Sequence, residues 1–142
     1  MTRTEMRELT FELLYSLEIQ KIQLEEYNEQ IELFLAEQNI NQEKAKTYII
    51  ETINGIAKNQ EKILDLISQN LKEKWDISRV SKINLTLLKL ATYEIMYTEL
   101  PYKVVVNEAV EIAKKYGDDN SPAFINGVLA NIIKQTGIAN EE

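Results

Sequence analysis

The chain has 142 residues, 44% of them hydrophobic, with 16 Lys+Arg against 23 Asp+Glu and a formal net charge of −7. That length makes a single domain with sub-lobes of about 1–73 and 74–142, and the apolar content supports a buried core, which excludes a disordered tail. Cysteine and histidine are both absent, which excludes a disulfide framework, a thiolate metal site and the usual general base.

Acid is unevenly placed. Residues 1–71 hold 7 basic and 13 acidic side chains, whereas residues 72–142 hold 9 and 10. The excess is concentrated at Glu18, Glu25, Glu26, Glu29, Glu32, Glu37 and Glu43. A broad phosphate-neutralising surface is therefore excluded. Any nucleic-acid binding by this chain alone should be weak and salt-dependent. No run of 18 apolar residues occurs, so no membrane span is expected. The opening MTRTEMREL lacks an apolar signal core, and a cytoplasmic location is expected.

Helical spacing runs the length of the chain. Residues 4–20 place Met6, Leu9, Leu13, Leu14 and Leu17 on one stripe, with Phe11 and Tyr15 beside it. Residues 24–38 give Leu24, Tyr27, Ile31, Phe34 and Leu35, and residues 42–58 give Ala45, Tyr48, Ile49, Ile53 and Ile56. Residues 60–73 supply Ile63, Leu64, Ile67 and Leu71. A broad apolar face follows in 82–97, then Val104, Val105, Ala109, Val110, Ile112 and Ala113 in 103–116. The last stripe, in 122–136, is Phe124, Ile125, Val128, Leu129, Ile132 and Ile133. Each stripe needs a partner to cover it.

The breaks fit that count. Asn41 is placed to cap the third helix, and Pro101 separates the fifth from the sixth. Gly117 reads as a glycine just past a helix end, Ser121 with Pro122 as an N-cap followed by a first-turn proline, and Gly137 as a stop. The segment KEKWDISRVSK around Trp75 reads as the boundary between lobes. With four glycines and two prolines there is no hairpin chemistry and no βαβ rhythm. An all-α protein of about seven helices in two small bundles is expected.

Catalytic constellations are missing. No glycine-rich phosphate loop occurs, and Ser16, Ser68, Ser78, Ser81 and Ser121 have no histidine to activate them. The acidic pairs Asp118–Asp119 and Glu25–Glu26 are adjacent, and adjacent residues on a helix do not face each other. No enzyme activity, cofactor or metal is expected, and the chain should bind something. One oddity points to where. Gly127 sits inside the last helical stripe, where glycine is worse than alanine by roughly 1 kcal/mol. Either a neighbouring helix needs the room or a ligand does.

The stretch LPYKVVVNEAVEIAKKYGDDNSPAFINGVLANI, residues 100–132, resembles the NusB family of bacterial transcription antitermination and ribosomal-RNA factors. The resemblance is carried by Pro101, Val104, Asn107-Glu108-Ala109-Val110-Glu111, Ala113-Lys114, Tyr116-Gly117, Ser121 and the run Phe124 to Leu129. Trp75 with LLKLATYEI at 87–95 is similar to the family's core helix, and Arg7, Glu8, Leu14 and Tyr15 to its first helix. The matches keep one order from residue 3 to about 133.

This resemblance implies an all-helical fold of two perpendicular small bundles. It implies binding of boxA RNA together with the ribosomal small-subunit protein NusE, in a complex with other Nus factors and RNA polymerase that supports ribosomal-RNA synthesis. A second copy of the chain is a further partner to consider. In physical terms, Arg3 and Arg7 lie one turn apart near a helix start, where anions are favoured. Phe124 offers a ring for stacking on a base, Asn126 an amide for a base edge, and Gly127 bare backbone for close approach. With Ser121 these form the expected RNA-binding set: Arg3, Arg7, Ser121, Phe124, Asn126 and Gly127. The competing reading makes Phe124 core and Gly127 a helix–helix contact. Tyr15, Asn84 and Lys89 form the expected partner-protein interface. Asn107-Glu108 reads better as a capping network than as a site.

Departures from the family pattern remove charge. Only Arg3 and Arg7 stand in the first turns, Ala123 replaces a basic residue before Phe124, and Asn84 and Lys89 stand where an acid and an arginine are common. A helical protein–protein adaptor with little intrinsic RNA binding is therefore the alternative.

Overall fold

A computed structural model describes residues 1–72 and 76–141. Seven α-helices carry the chain: α1 (Arg3–Ile19), α2 (Tyr27–Glu37), α3 (Glu43–Lys58), α4 (Gln60–Gln69), α5 (Lys82–Tyr97), α6 (Tyr102–Tyr116) and α7 (Ser121–Thr136). Short 3-10 turns occupy Leu24–Glu26, Ile77–Arg79 and Ile138–Glu141, and no strand occurs among the described residues. The expected all-α architecture and its seven helices are present. The differences are at ends. Residues 24–26 form a 3-10 turn instead of the first turn of the second helix, which leaves Leu24 exposed. Helix α4 stops at Gln69, short of the expected residue 73.

Two compact units make up the chain, Met1–Lys58 and Asn59–Glu142. In the first, α1 packs on α3 and α2. Met6, Phe11, Leu13, Leu14 and Leu17 of α1 are buried, as are Ile31 and Leu35 of α2 and Ala45, Ile49, Ile53 and Ile56 of α3. In the second, α5, α6 and α7 pack on one another, and α4 packs on α5 and α7. The break falls at Lys58 and not near residue 73 because Ile63 and Ile67 of α4 are covered within the second unit. Trp75, expected to anchor the boundary, lies outside the described residues.

Helix α5 is buried on nearly every side, from Thr86 through Thr92 and again at Glu94 and Ile95. That all-round burial is the mark of a central helix. Helices α6 and α7 are amphipathic and lie beside it, so α7 exposes one long face. At roughly 1.5–3 kcal/mol for each fully buried aliphatic side chain, Ile125, Leu129 and Ile132 hold α7 in place far more firmly than its own helix propensity would.

Candidate nucleic-acid interface

Helix α1 begins with a reciprocal cap. Thr2 Oγ1 accepts from the Glu5 N–H at 3.1 Å, and the Glu5 carboxylate accepts from the Thr2 N–H at 3.1 Å. The Thr2 backbone N–H on the carboxylate, and after it the Thr2 side chain, lower the Glu5 pKa below its ordinary value of 4.5. Arg3, in the first turn, is exposed, and its guanidinium carbon lies 5.8 Å from the centroid of the Tyr48 ring on α3. That distance is within cation–π range. Arg7 follows one turn later but is buried, with 2% exposure. The two arginines therefore share a helix face but not an environment. Arg7 is spaced three, four and seven residues ahead of Thr10, Phe11 and Leu14, all buried, so it belongs to the covered stripe. Its side chain is not displayed at the surface, contrary to the expectation of a phosphate contact.

The entry to α7 is a second reciprocal cap. The Asp118 carboxylate accepts from the N–H groups of Asn120 and Ser121 at 2.8 and 3.1 Å and from the Ser121 hydroxyl at 3.4 Å. The Ser121 Oγ in turn accepts from the Asp118 N–H at 3.0 Å. Ser121 is thus the first helical residue and is buried, not an exposed N-cap, and its hydroxyl is committed to the turn. Gly117 is required here by close approach. A Cβ on it would stand 2.5 Å from Ser121 Cβ and 2.9 Å from the Ala113 carbonyl oxygen. It is not a left-handed cap; that role falls to Gly137, whose φ is 73°.

Beyond this turn α7 presents Phe124, half-buried, with Asn126 and Gly127 exposed. A Cβ built on Gly127 would meet nothing within 4 Å. No neighbouring helix needs the room, so the packing explanation of this glycine fails. Instead Gly127 lies in a groove of about 340 Å³ lined by Ala123, Phe124, Gly127, Val128 and Asn131 of α7 and by Asn70 and Lys72 just past α4. Residues three and four apart share a helix face, so Phe124, Gly127, Val128 and Asn131 form one row. Asn126, two residues from Phe124, points away from that row and is not part of the groove. The expected pairing of Phe124 with Asn126 is therefore split, and Asn131 supplies the amide that lines the groove. Helix α7 contains no Asp or Glu, in a chain of net charge −7.

A family model for the NusB family matches residues 4–134. The chain belongs to the NusB family. Among curated relatives it is 48% identical over 136 residues to the transcription antitermination protein NusB of Clostridium novyi (strain NT), with 94% of this chain and 99% of the relative covered. Among solved structures it is similar to T. maritima NusB, with TM-score 0.85, 38% identity and coverage of 94% and 92% of the two chains. It is similar also to a chain in a crystal structure of antitermination factors NusB and NusE in complex with dsRNA, with TM-score 0.82, 25% identity and coverage of 95% and 99%.

The NusB-type partner residues named from sequence fare unequally. Tyr15 is half-buried, its ring stacked on Phe11 at 6.3 Å with an interplanar angle of 21°. Asn84 is half-buried; its N–H donates to Ser81 Oγ at 3.2 Å, and its own side-chain oxygen is covered. Lys89 is buried, with 6% exposure, because α5 is enclosed on nearly every side. Asn107 is exposed on α6, which starts five residues earlier at Tyr102. Among the described residues no cluster of metal-ligating side chains occurs, and no helix is long and apolar enough to cross a membrane.

Proposed function

We propose that this chain is an RNA-binding transcription antitermination factor that takes boxA-type single-stranded RNA together with the ribosomal small-subunit protein NusE, in support of ribosomal-RNA transcription. Family membership over residues 4–134 supports the assignment, as does the similarity to a chain in a NusB–NusE–RNA complex. The observation that carries it in this chain is the exposed face of α7. It offers an accessible aromatic ring, exposed amides, bare glycine backbone and no acid. Unpaired RNA is recognised by aromatic stacking and by hydrogen bonds to base edges. Phe124 and Gly127 are the base-facing residues in this reading, Asn126 an amide on the adjoining face, and Arg3 a phosphate contact. Ser121 holds the start of α7 in place, and Arg7 lies in the covered stripe of α1. Tyr15 and Asn84 contribute to the protein interface. The factor works in the cytoplasm with the other Nus factors and RNA polymerase, and no catalytic step is assigned to it.

The deciding experiment is fluorescence binding to a boxA single strand with and without NusE. Weak, salt-sensitive binding alone and a clear gain with the partner are expected. An affinity unmoved by the partner would favour the protein–protein adaptor, the reading to which the buried Arg7 and the neutral Ala123 lend weight.

A further inference from the structure

We infer that the groove between α7 and the end of α4 is a pocket for one unpaired nucleobase, with Asn131 reading its edge and Lys72 holding an adjoining phosphate. This rests on the RNA-binding reading and adds residues that lie far apart in sequence. The groove is lined by the half-buried Phe124, by bare backbone at Gly127 and by the exposed Asn131. Its volume of about 340 Å³ lies at the small end of the range for ligand sites, about 300–1,000 Å³, as suits a single planar group.

Its chemistry selects the occupant. Among the described residues lining it Lys72 is the one that carries charge, and the lining contributed by α7 is free of acid, which favours an anionic strand on a chain of net charge −7. An asparagine side chain carries both a donor and an acceptor, the pattern that pairs with a base edge. The α4 end is held in register for this. Asn70 Nδ2 donates to the Leu66 carbonyl at 2.8 Å and to Gln135 Oε1 at 2.5 Å, and Gln135 Nε2 donates to Gln69 Oε1 at 2.6 Å. This amide chain ties the end of α4 to α7, two residues before Lys72. Asn70 is spent on that tie and acts as a positioning residue; Asn131 is the one that reads.

The test uses the full chain with NusE and a short boxA single strand, alongside a series in which each base in turn is replaced by an abasic site. In the wild type, one position should cost about tenfold in affinity when its base is removed. In Asn131→Ala that same removal should cost measurably less than in the wild type, because the edge contact is already gone and only the stack on Phe124 is left to lose. Lys72→Ala should lower the salt slope by about 0.7, the value of one single-strand phosphate contact. Both residues are exposed, so unchanged melting curves should accompany these effects. Identical abasic penalties in the wild type and in Asn131→Ala, with RNA binding retained, would overturn the pocket while leaving the RNA-binding function standing. Loss of NusE binding in Asn131→Ala with unchanged RNA affinity would overturn it too, by marking the groove as a protein-docking surface. Absence of RNA binding in the wild type, with and without NusE, would remove both readings together.

Discussion

At position 127 a methyl group would touch nothing, yet the chain carries glycine there. The fold alone therefore favours the substitution. Gly127→Ala should raise stability by about 0.5–1 kcal/mol through helix propensity, seen as a higher denaturant midpoint with an unchanged slope. RNA affinity should fall in the same variant, because the new methyl covers backbone that lines the groove. A more stable variant with undiminished affinity would show that RNA does not approach this backbone. Phe124 is half-buried and lines the same groove. Phe124→Ala should weaken RNA binding by about 1–3 kcal/mol, the worth of one base–aromatic stack, in a titration against the boxA strand. A collapse of folding with normal affinity in the surviving fraction would return the ring to a packing role.

Helix starts give the predictions that belong to elements. Asp118→Ala removes the acceptor for two backbone N–H groups at the entry to α7 and should cost about 1 kcal/mol in chemical unfolding. At the start of α1 the Glu5 pKa is lowered in the folded state from 4.5 by its bonds to Thr2. The sign follows from linkage: a depressed carboxylate adds stability that is complete above about pH 4.5 and is lost as pH falls through the folded value. The stability difference between the wild type and Glu5→Gln should therefore hold constant at neutral pH and shrink on acidification through the carboxylate range. These elements were legible in the sequence because caps and apolar spacing are local signals. Tertiary burial accounts for the differences. Arg7 and Ser121 sit at the heads of buried stripes, Thr10–Phe11–Leu14 and Ile125–Val128, and the same spacing that revealed the helices could have placed both residues inside. Asn131 was within reach too, seven residues after Phe124 and so on the same face. Asn70 and Lys72 were not, since only the packing of α4 on α7 brings them to the groove.

For the molecule as a whole, charge decides how RNA is met. Arg3 stands exposed at the head of an otherwise acidic first half, near Tyr48. Arg3→Ala should lower the slope of log affinity against log salt by about 0.7, and an unaltered slope would take Arg3 out of contact with the strand. The acid-free α7 has a kinetic corollary. A body of net charge −7 repels a polyanion at long range, and the local attraction of one neutral-to-basic helix acts only near contact. Electrolyte weakens both, but over different distances, since screening lengths near 8 Å at physiological ionic strength erase the far field first. For the isolated chain, added salt should accordingly quicken the arrival of a transcript while shortening its stay.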